Sequence, residues 1–166
     1  MLKHENVNES FWDLERIKNL YMRAFPENEQ RPFEEFINDP RGANHMLAFY
    51  EGAEFVGFVV LMESKIDISY LTFFAVEEAF RAKGYGTKIL TEVRRLREGR
   101  RIICEIELFN PFAKNKEQRR KRRAFYLRNG YKPTTIFFRV KKENFQMLVN
   151  GGTFTRKDFQ QFWKNL

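Results

Sequence analysis

Residues 76–87 read Val76-Glu77-Glu78-Ala79-Phe80-Arg81-Ala82-Lys83-Gly84-Tyr85-Gly86-Thr87. Upstream, Ile68 to Val76 is rich in apolar and aromatic residues and reads as a strand. Downstream, Ile89, Leu90, Val93 and Leu96 recur at helical spacing. The chain therefore turns from strand to helix around the two glycines. A helix N-terminus presents unpaired backbone N–H groups and a partial positive charge, which together can hold an anion. Gly84 and Gly86 put no side chain in the way of a phosphate and tolerate unusual backbone angles. Arg81 and Lys83 add charge at the rim. The stretch reads as a pyrophosphate cradle.

Spacing decides which cradle it is. A P-loop needs a longer loop ending in Gly-Lys-Ser/Thr, and none is present. The dinucleotide fingerprint needs a third glycine where Ile89 stands. What remains is Arg81-x-x-Gly84-x-Gly86, a short distance after a strand ending at Val76. This pattern resembles the acetyl-CoA signature of the GNAT acetyltransferases, Gln/Arg-x-x-Gly-x-Gly/Ala. Alone, the hexapeptide also suits an ordinary strand-to-helix turn with a basic edge. The resemblance assigns Arg81, Ala82, Lys83, Gly84, Tyr85, Gly86 and Thr87 to the cofactor's pyrophosphate. It also implies that the backbone of Phe74, Ala75 and Val76 pairs with the pantetheine arm. A bulge there would free an N–H for the thioester oxygen, stabilising an oxyanion.

A second motif follows in the expected order. Ala124-Phe125-Tyr126-Leu127-Arg128-Asn129-Gly130-Tyr131 is similar to the family's Phe-Tyr-x-x-x-Gly-Phe helix end, with Gly130 placed to stop the helix. The resemblance makes Tyr126 the acid that protonates the departing thiolate. Read by itself, Tyr126 would be a core tyrosine with a bonded hydroxyl.

Between the motifs, Arg101 to Phe109 reads as a strand, and reaching it through a helix makes a parallel βαβ unit. Alternation puts Cys104, Ile106 and Leu108 on one face and Ile103, Glu105 and Glu107 on the other. Two carboxylates facing one way are unusual on such a strand, although a partly open face or nearby arginines would also explain them. An acceptor amine is mostly ammonium at neutral pH, given a reference lysine pKa of about 10.4. A base must take its proton before it can attack a thioester. Cys104-Glu105-Ile106 resembles the Leu-Glu-Val strand of several GNAT enzymes, which implies that Glu105 is that base and that Asn110 contacts the pantetheine arm. Glu107 and Asp67 are expected to bind a cationic substrate, with Glu63 in reserve as a base.

The link from Pro111 to Arg123 is longer and more basic than is usual in the family, which leaves the place of Asn110 open. Its run Arg119-Arg120-Lys121-Arg122-Arg123 suits either RNA phosphates or a solvated helix. In the second case Arg119, Arg122 and Arg123 would turn inward, toward CoA phosphates or acidic strand residues. No recognisable RNA-binding motif accompanies the run, so nucleic acid is not the expected partner.

At 166 residues the chain fits one domain, 1–166, long enough for a sizeable core. Its 43% hydrophobic content and 19 phenylalanines exclude a disordered tail, and the formal charge of +8 suits an anionic partner. A lone cysteine, Cys104, excludes an intrachain disulfide and fits a reducing compartment, so a cytoplasmic location is expected. No apolar run is long enough to span a membrane, and Met1 to Glu5 opens no signal-peptide core. His4 and His45 are isolated, so no metal is expected.

Phe11, Leu14, Ile17, Leu20, Tyr21 and Phe25 predict an amphipathic helix over 10–25, with a second short one around 33–37. Strands are expected at 46–50, 54–62 and 66–76, forming a meander into the cradle, and at 136–140 and 145–149. Thr155 can cap a final helix carrying Phe159, Phe162 and Trp163, which would cover a sheet edge, border the acceptor or meet a second subunit as a homodimer. Together these features predict an α/β chain of GNAT acyl-CoA N-acyltransferase fold, with a mixed, mostly antiparallel sheet flanked by helices. The expected activity is direct acetyl transfer from acetyl-CoA to a cationic amine in a ternary complex. Two other classes stay open: a non-catalytic acyl-CoA sensor and an RNA-binding protein.

Overall fold

The periodicities above reappear as elements in the computed structural model, which describes residues 1–166. In chain order these are β1 (Leu2–Val7), α1 (Leu14–Ala24), α2 (Glu34–Ile37), β2 (Asn44–Glu51), β3 (Glu54–Glu63), β4 (Ile68–Val76) and α3 (Tyr85–Leu96). They continue as β5 (Arg101–Glu107), α4 (Lys116–Arg128), β6 (Lys132–Val140), β7 (Glu143–Asn150) and α5 (Arg156–Lys164). The strand order is β1-β2-β3-β4-β5-β7-β6. β4 and β5 run parallel because α3 carries the chain back between them, and their ladder is three pairs long, from Ile68–Arg101 to Tyr70–Ile103. β1–β2, β2–β3, β5–β7 and β6–β7 are antiparallel. The mixed, mostly antiparallel sheet flanked by helices is the architecture the sequence predicts. No helix is long and apolar enough to cross a membrane.

The chain forms two compact units, Met1–Glu63 with Leu71–Val93, and Ser64–Tyr70 with Arg94–Leu166. In the first, α1 buries Ile17, Leu20 and Tyr21. The Tyr21 ring meets Phe36 and Phe73 edge-on, with centroids 5.4 and 5.3 Å away. Its hydroxyl donates to the Arg31 carbonyl at 2.9 Å and accepts the Arg31 N–H at 2.7 Å, so the one polar atom in this aromatic cluster is satisfied.

β3 carries a bulge. Phe49 faces Gly57 whereas Tyr50 faces Phe55, leaving Val56 as the extra residue. The Val56 carbonyl accepts the Glu77 N–H at 2.7 Å, which ties the bulge to the end of β4. Beside it Gly57 lies so close to β4 that a Cβ would run into the Ala75 carbonyl oxygen. Gly57→Ala is therefore expected to cost about 1–3 kcal/mol through overpacking. It would show as a lower urea midpoint at unchanged m-value; an unmoved midpoint would mean that the two backbones do not meet there.

In the second unit β5 pairs along Ile102–Glu107 with β7, Cys104 facing Leu148 and Glu105 facing Met147. Arg123 on α4 donates to Gln146 on the Cys104 face, while the rings of Phe162 and Trp163 on α5 pack against Tyr70 on the Glu105 face. The two helices thus cover opposite faces of this unit's strands. Thr155 and Asp158 form the reciprocal capping box that opens α5. Tyr70 and Phe162 are buried, which fixes that helix on its face.

Candidate active site

The cradle lies in the first unit. After β4 a single 3₁₀ turn, Glu78–Phe80, leads to Arg81. Arg81 Nε reaches back to the Val76 carbonyl at 2.9 Å and so draws the loop against the strand end. Ala82 and Gly84 both take positive φ, 58° and 83°. That angle is uncommon for alanine, and such conformations concentrate at ligand clamps. The first bond of α3 runs from the Lys88 N–H to the Gly84 carbonyl at 3.1 Å, so the N–H groups of Tyr85, Gly86 and Thr87 precede any intrahelical acceptor. A Cβ built on Gly84 would meet nothing within 4 Å, so the turn is open at this residue. Tyr85 is held between the Phe80 ring, 5.0 Å away, and Lys88 Nζ, 4.7 Å from the ring centroid. Lys83 stands exposed at the rim. Donors, positive charge and open space fit a pyrophosphate group.

The proton-transfer candidates lie in the second unit. Glu105, half-buried on β5, accepts a hydrogen bond from the Tyr70 hydroxyl. Burial first, and then the Glu105 charge and hydrogen bond, push the Tyr70 phenol far above its ordinary value, so it stays a donor to the carboxylate. Register explains the pair: Tyr70 faces Ile103 in the parallel ladder, and Glu105 is the next residue on the same face. The sequence held no sign of it, because the offset between β4 and β5 is set by tertiary structure.

Tyr126 is placed by the end of α4. The Tyr131 N–H bonds the Tyr126 carbonyl at 3.1 Å and the Gly130 N–H bonds the Leu127 carbonyl at 3.2 Å. Gly130 has φ 87°, which completes a Schellman motif. The ring contact between the two tyrosines, centroids 5.3 Å apart, is the hydrophobic contact that accompanies such a motif. Burial, helped by nearby Cys104, pushes the Tyr126 phenol well up, so its proton stays on at physiological pH. Cys104 is buried and its thiol is likewise raised by burial. Since Cys104 and Glu105 point to opposite sides of β5, Tyr126 and Glu105 approach the strand from opposite faces. The structure does not bring their side chains together on one face.

The other carboxylates expected at the site are engaged by arginines. Asp67 forms a two-pronged pair with Arg101, at 2.8 and 3.0 Å, which holds its carboxyl below the usual range. Glu107 meets Arg119 at 2.7 Å and Arg122 at 3.4 Å. Arg119 is buried, bonded also to the Leu108 carbonyl at 3.1 Å, Asn115 Oδ1 at 2.8 Å and Glu143 at 3.1 Å. The inward face of the basic run is thus spent on acidic and polar strand residues, with Lys116, Arg120 and Lys121 left exposed. Asn110 begins a turn, its Oδ1 accepting the Phe112 N–H at 2.9 Å, six residues before α4 starts. Glu63 closes β3, with its N–H on the Ala43 carbonyl at 2.8 Å.

Comparison with known proteins gives a consistent outcome. A family profile described as the acetyltransferase (GNAT) domain matches residues 42–133. A search of curated protein sequences gives no match. Among solved structures, the chain is similar to a GNAT-family protein from Bacteroides thetaiotaomicron, with TM-score 0.76 and 21% identity over 96% of this chain and 92% of the other. It is also similar to a GNAT family acetyltransferase from Elizabethkingia anophelis with acetyl-CoA bound, with TM-score 0.61 and 12% identity over 91% and 98% of the two chains. A third is Naa50 from Arabidopsis thaliana in complex with the bisubstrate analogue CoA-Ac-MVNAL, with TM-score 0.66 and 18% identity over 91% and 99%. At these identities the likeness shows the fold.

Proposed function

The chain belongs to the GNAT acetyltransferase family, and from that premise we propose that it moves the acetyl group of acetyl-CoA directly to a primary amine. The observation that carries the reading is the first turn of α3, where three early N–H groups precede any intrahelical acceptor and follow an unobstructed Gly84, with Arg81 and Lys83 beside it in the chain. Acetyl-CoA supplies the activated acyl group; the fold neighbours that hold acetyl-CoA or a CoA–peptide analogue support this choice of cosubstrate and an amine acceptor. Residues Arg81 to Thr87 would bind its pyrophosphate, and the Phe74–Val76 backbone and Asn110 would align the pantetheine arm. Asp67 and Glu107, each paired with arginine, would add negative charge for a cationic acceptor, and Glu105 would meet its ammonium.

In this reading Glu105 takes the proton of the acceptor ammonium, freeing the lone pair that attacks the acetyl carbonyl. Tyr126 gives a proton to the sulfur as its bond to the acetyl carbon breaks. Its raised pKa keeps the phenol protonated at physiological pH, so the proton is present on the hydroxyl. We take the whole chain as one domain, because β4 and α3 each contribute residues to both compact units.

Tyr126→Phe removes the hydroxyl and keeps the ring against Tyr131. Turnover is expected to fall about 10²-fold, with acetyl-CoA affinity unchanged in a direct binding titration. Unchanged turnover would remove the acid role, and lost affinity would mean that the hydroxyl serves binding.

A further inference from the structure

The net positive charge of the chain lies in one unit. The second unit holds more than two thirds of the 30 lysines and arginines and less than one third of the 22 aspartates and glutamates. The net charge of +8 therefore arises there, and the first unit is net acidic. Part of this charge is cancelled where Arg119 and Arg122 meet Glu107 and where Arg101 meets Asp67. Another part is not. Lys116, Arg120 and Arg123 follow one another at helical spacing along one side of α4. Lys116 is exposed, Arg120 shares a solvent-exposed pair with Glu117 at 3.3 Å, and Arg123 bonds the neutral Gln146 Oε1 at 3.0 Å.

These cations border a concave surface that carries aromatic rings. Phe109, Arg119, Arg120, Arg123 and Gln146 line an open cavity of about 390 Å³, within the size range of ligand pockets. The Arg120 guanidinium lies over the Phe109 ring, 4.7 Å from its centroid, and Phe109 is 49% exposed. Gln146 faces Phe137 across the β6–β7 ladder, so Phe137 stands on the same side of the sheet, and it is 52% exposed. Arg139, two residues on, shares that side and is exposed. β6 is the last strand of the sheet, so no further strand covers this edge.

Rings set among cations on a concave surface fit a polyanion that also has flat faces. An acidic peptide would use the cations and leave the rings idle. A membrane surface would meet a hollow. Duplex nucleic acid keeps its bases stacked on one another, away from the rings. A single strand offers unstacked bases to Phe109 and Phe137 and phosphates to Lys116, Arg123 and Arg139. The basic run alone gave no reason to expect such a partner; the fold supplies the rings that the run lacks.

We propose that this face of α4, β6 and β7 binds single-stranded nucleic acid, RNA or DNA, by base stacking on Phe109 and Phe137 and by phosphate contacts to the unpaired cations beside them. The inference stands apart from the acetyl transfer proposed above.

The test is fluorescence anisotropy of labelled strands of about twelve nucleotides, oligo-U and oligo-dT, titrated with the wild-type chain, Phe137→Ala and Arg139→Gln. Both side chains are exposed, so the fold should hold. Wild-type affinity is expected to fall about tenfold or more between about 50 and 200 mM salt, as about three phosphate contacts require. Phe137→Ala should weaken binding about fivefold or more at an unchanged salt slope. Arg139→Gln should lower the slope by about 0.7. Tighter binding of oligo-U would name RNA as the strand, and tighter binding of oligo-dT would name DNA. Wild-type affinity in Phe137→Ala would overturn the inference. So would equal binding of a duplex, of polyglutamate or of phosphatidylserine vesicles, or no binding of either strand in low salt. Displacement of the strand by saturating CoA would place it in the cradle and overturn the inference too.

Discussion

Glu105→Gln is expected to lower kcat about 10²–10⁴-fold at neutral pH while leaving acetyl-CoA affinity intact. Glutamine is nearly isosteric, and its amide oxygen can still accept the Tyr70 hydroxyl, so the change removes the base and little else. The pH profile separates this cause from a packing defect. A primary amine has a pKa of about 10, so below that value its free-base fraction rises about tenfold per pH unit. With the base gone, the variant's rate should climb with pH in proportion to that fraction and approach the wild type near the amine pKa. Glu105→Gln with wild-type turnover at pH 7 would remove Glu105 from the mechanism. A deep loss that higher pH does not relieve would assign it a structural role instead.

The second large effect is expected from Gly86→Glu. Gly86 is the second residue of α3, where replacing glycine favours the helix and a carboxylate favours its N-terminal dipole. The fold should therefore be unharmed or slightly stabilised. The same carboxylate would stand among the N–H groups assigned to the pyrophosphate. Two unit charges about 4 Å apart near a protein surface interact by about 4 kcal/mol, so binding should weaken by about 10²-fold or more. The measurement is the thermal shift produced by CoA, which should vanish in the variant while the unliganded Tm holds or rises. A full CoA shift in the variant would put the pyrophosphate elsewhere.

These two residues also mark what was legible in the sequence. The cradle could be read because its parts are local: a strand, a glycine-rich turn and a helix in the continuous stretch from Ile68 to Leu96, whose physics does not wait for tertiary contacts. The Gly130 stop was legible for the same reason, and the structure places Tyr126 through the backbone bonds that this glycine permits. Tyr70 was not legible. Its bond to Glu105 joins two strands 35 positions apart in the chain, and a one-residue slip in register would turn it to the other face.

Carboxylates were legible only by type. Asp67 and Glu107 read as substrate ligands, and the sequence did not show that the fold brings Arg101 and Arg119 within 2.8 and 2.7 Å of them. Arg119, Arg122 and Arg123 were expected to turn inward, and all three meet acidic or polar strand residues, but the nearly all-basic sequence did not tell that Arg119 would be the buried one. β1 escaped notice because Lys3, Glu5 and Asn6 are exposed and the strand sits at the sheet edge against β2 alone, with only Val7 buried. The start of α1, expected at 10, falls at Leu14, since the N–H of Phe11 bonds the Asn8 carbonyl in a turn before it.

The central claim is that the strand-to-helix turn at Gly84 and Gly86 holds the donor. Calorimetric titration of the purified chain with acetyl-CoA addresses it most directly. The account predicts saturable, one-to-one binding in the micromolar to low-millimolar range, weakened by added salt because the contacts are to phosphate. Absence of heat at millimolar acetyl-CoA in low salt would contradict the cradle and the transfer together.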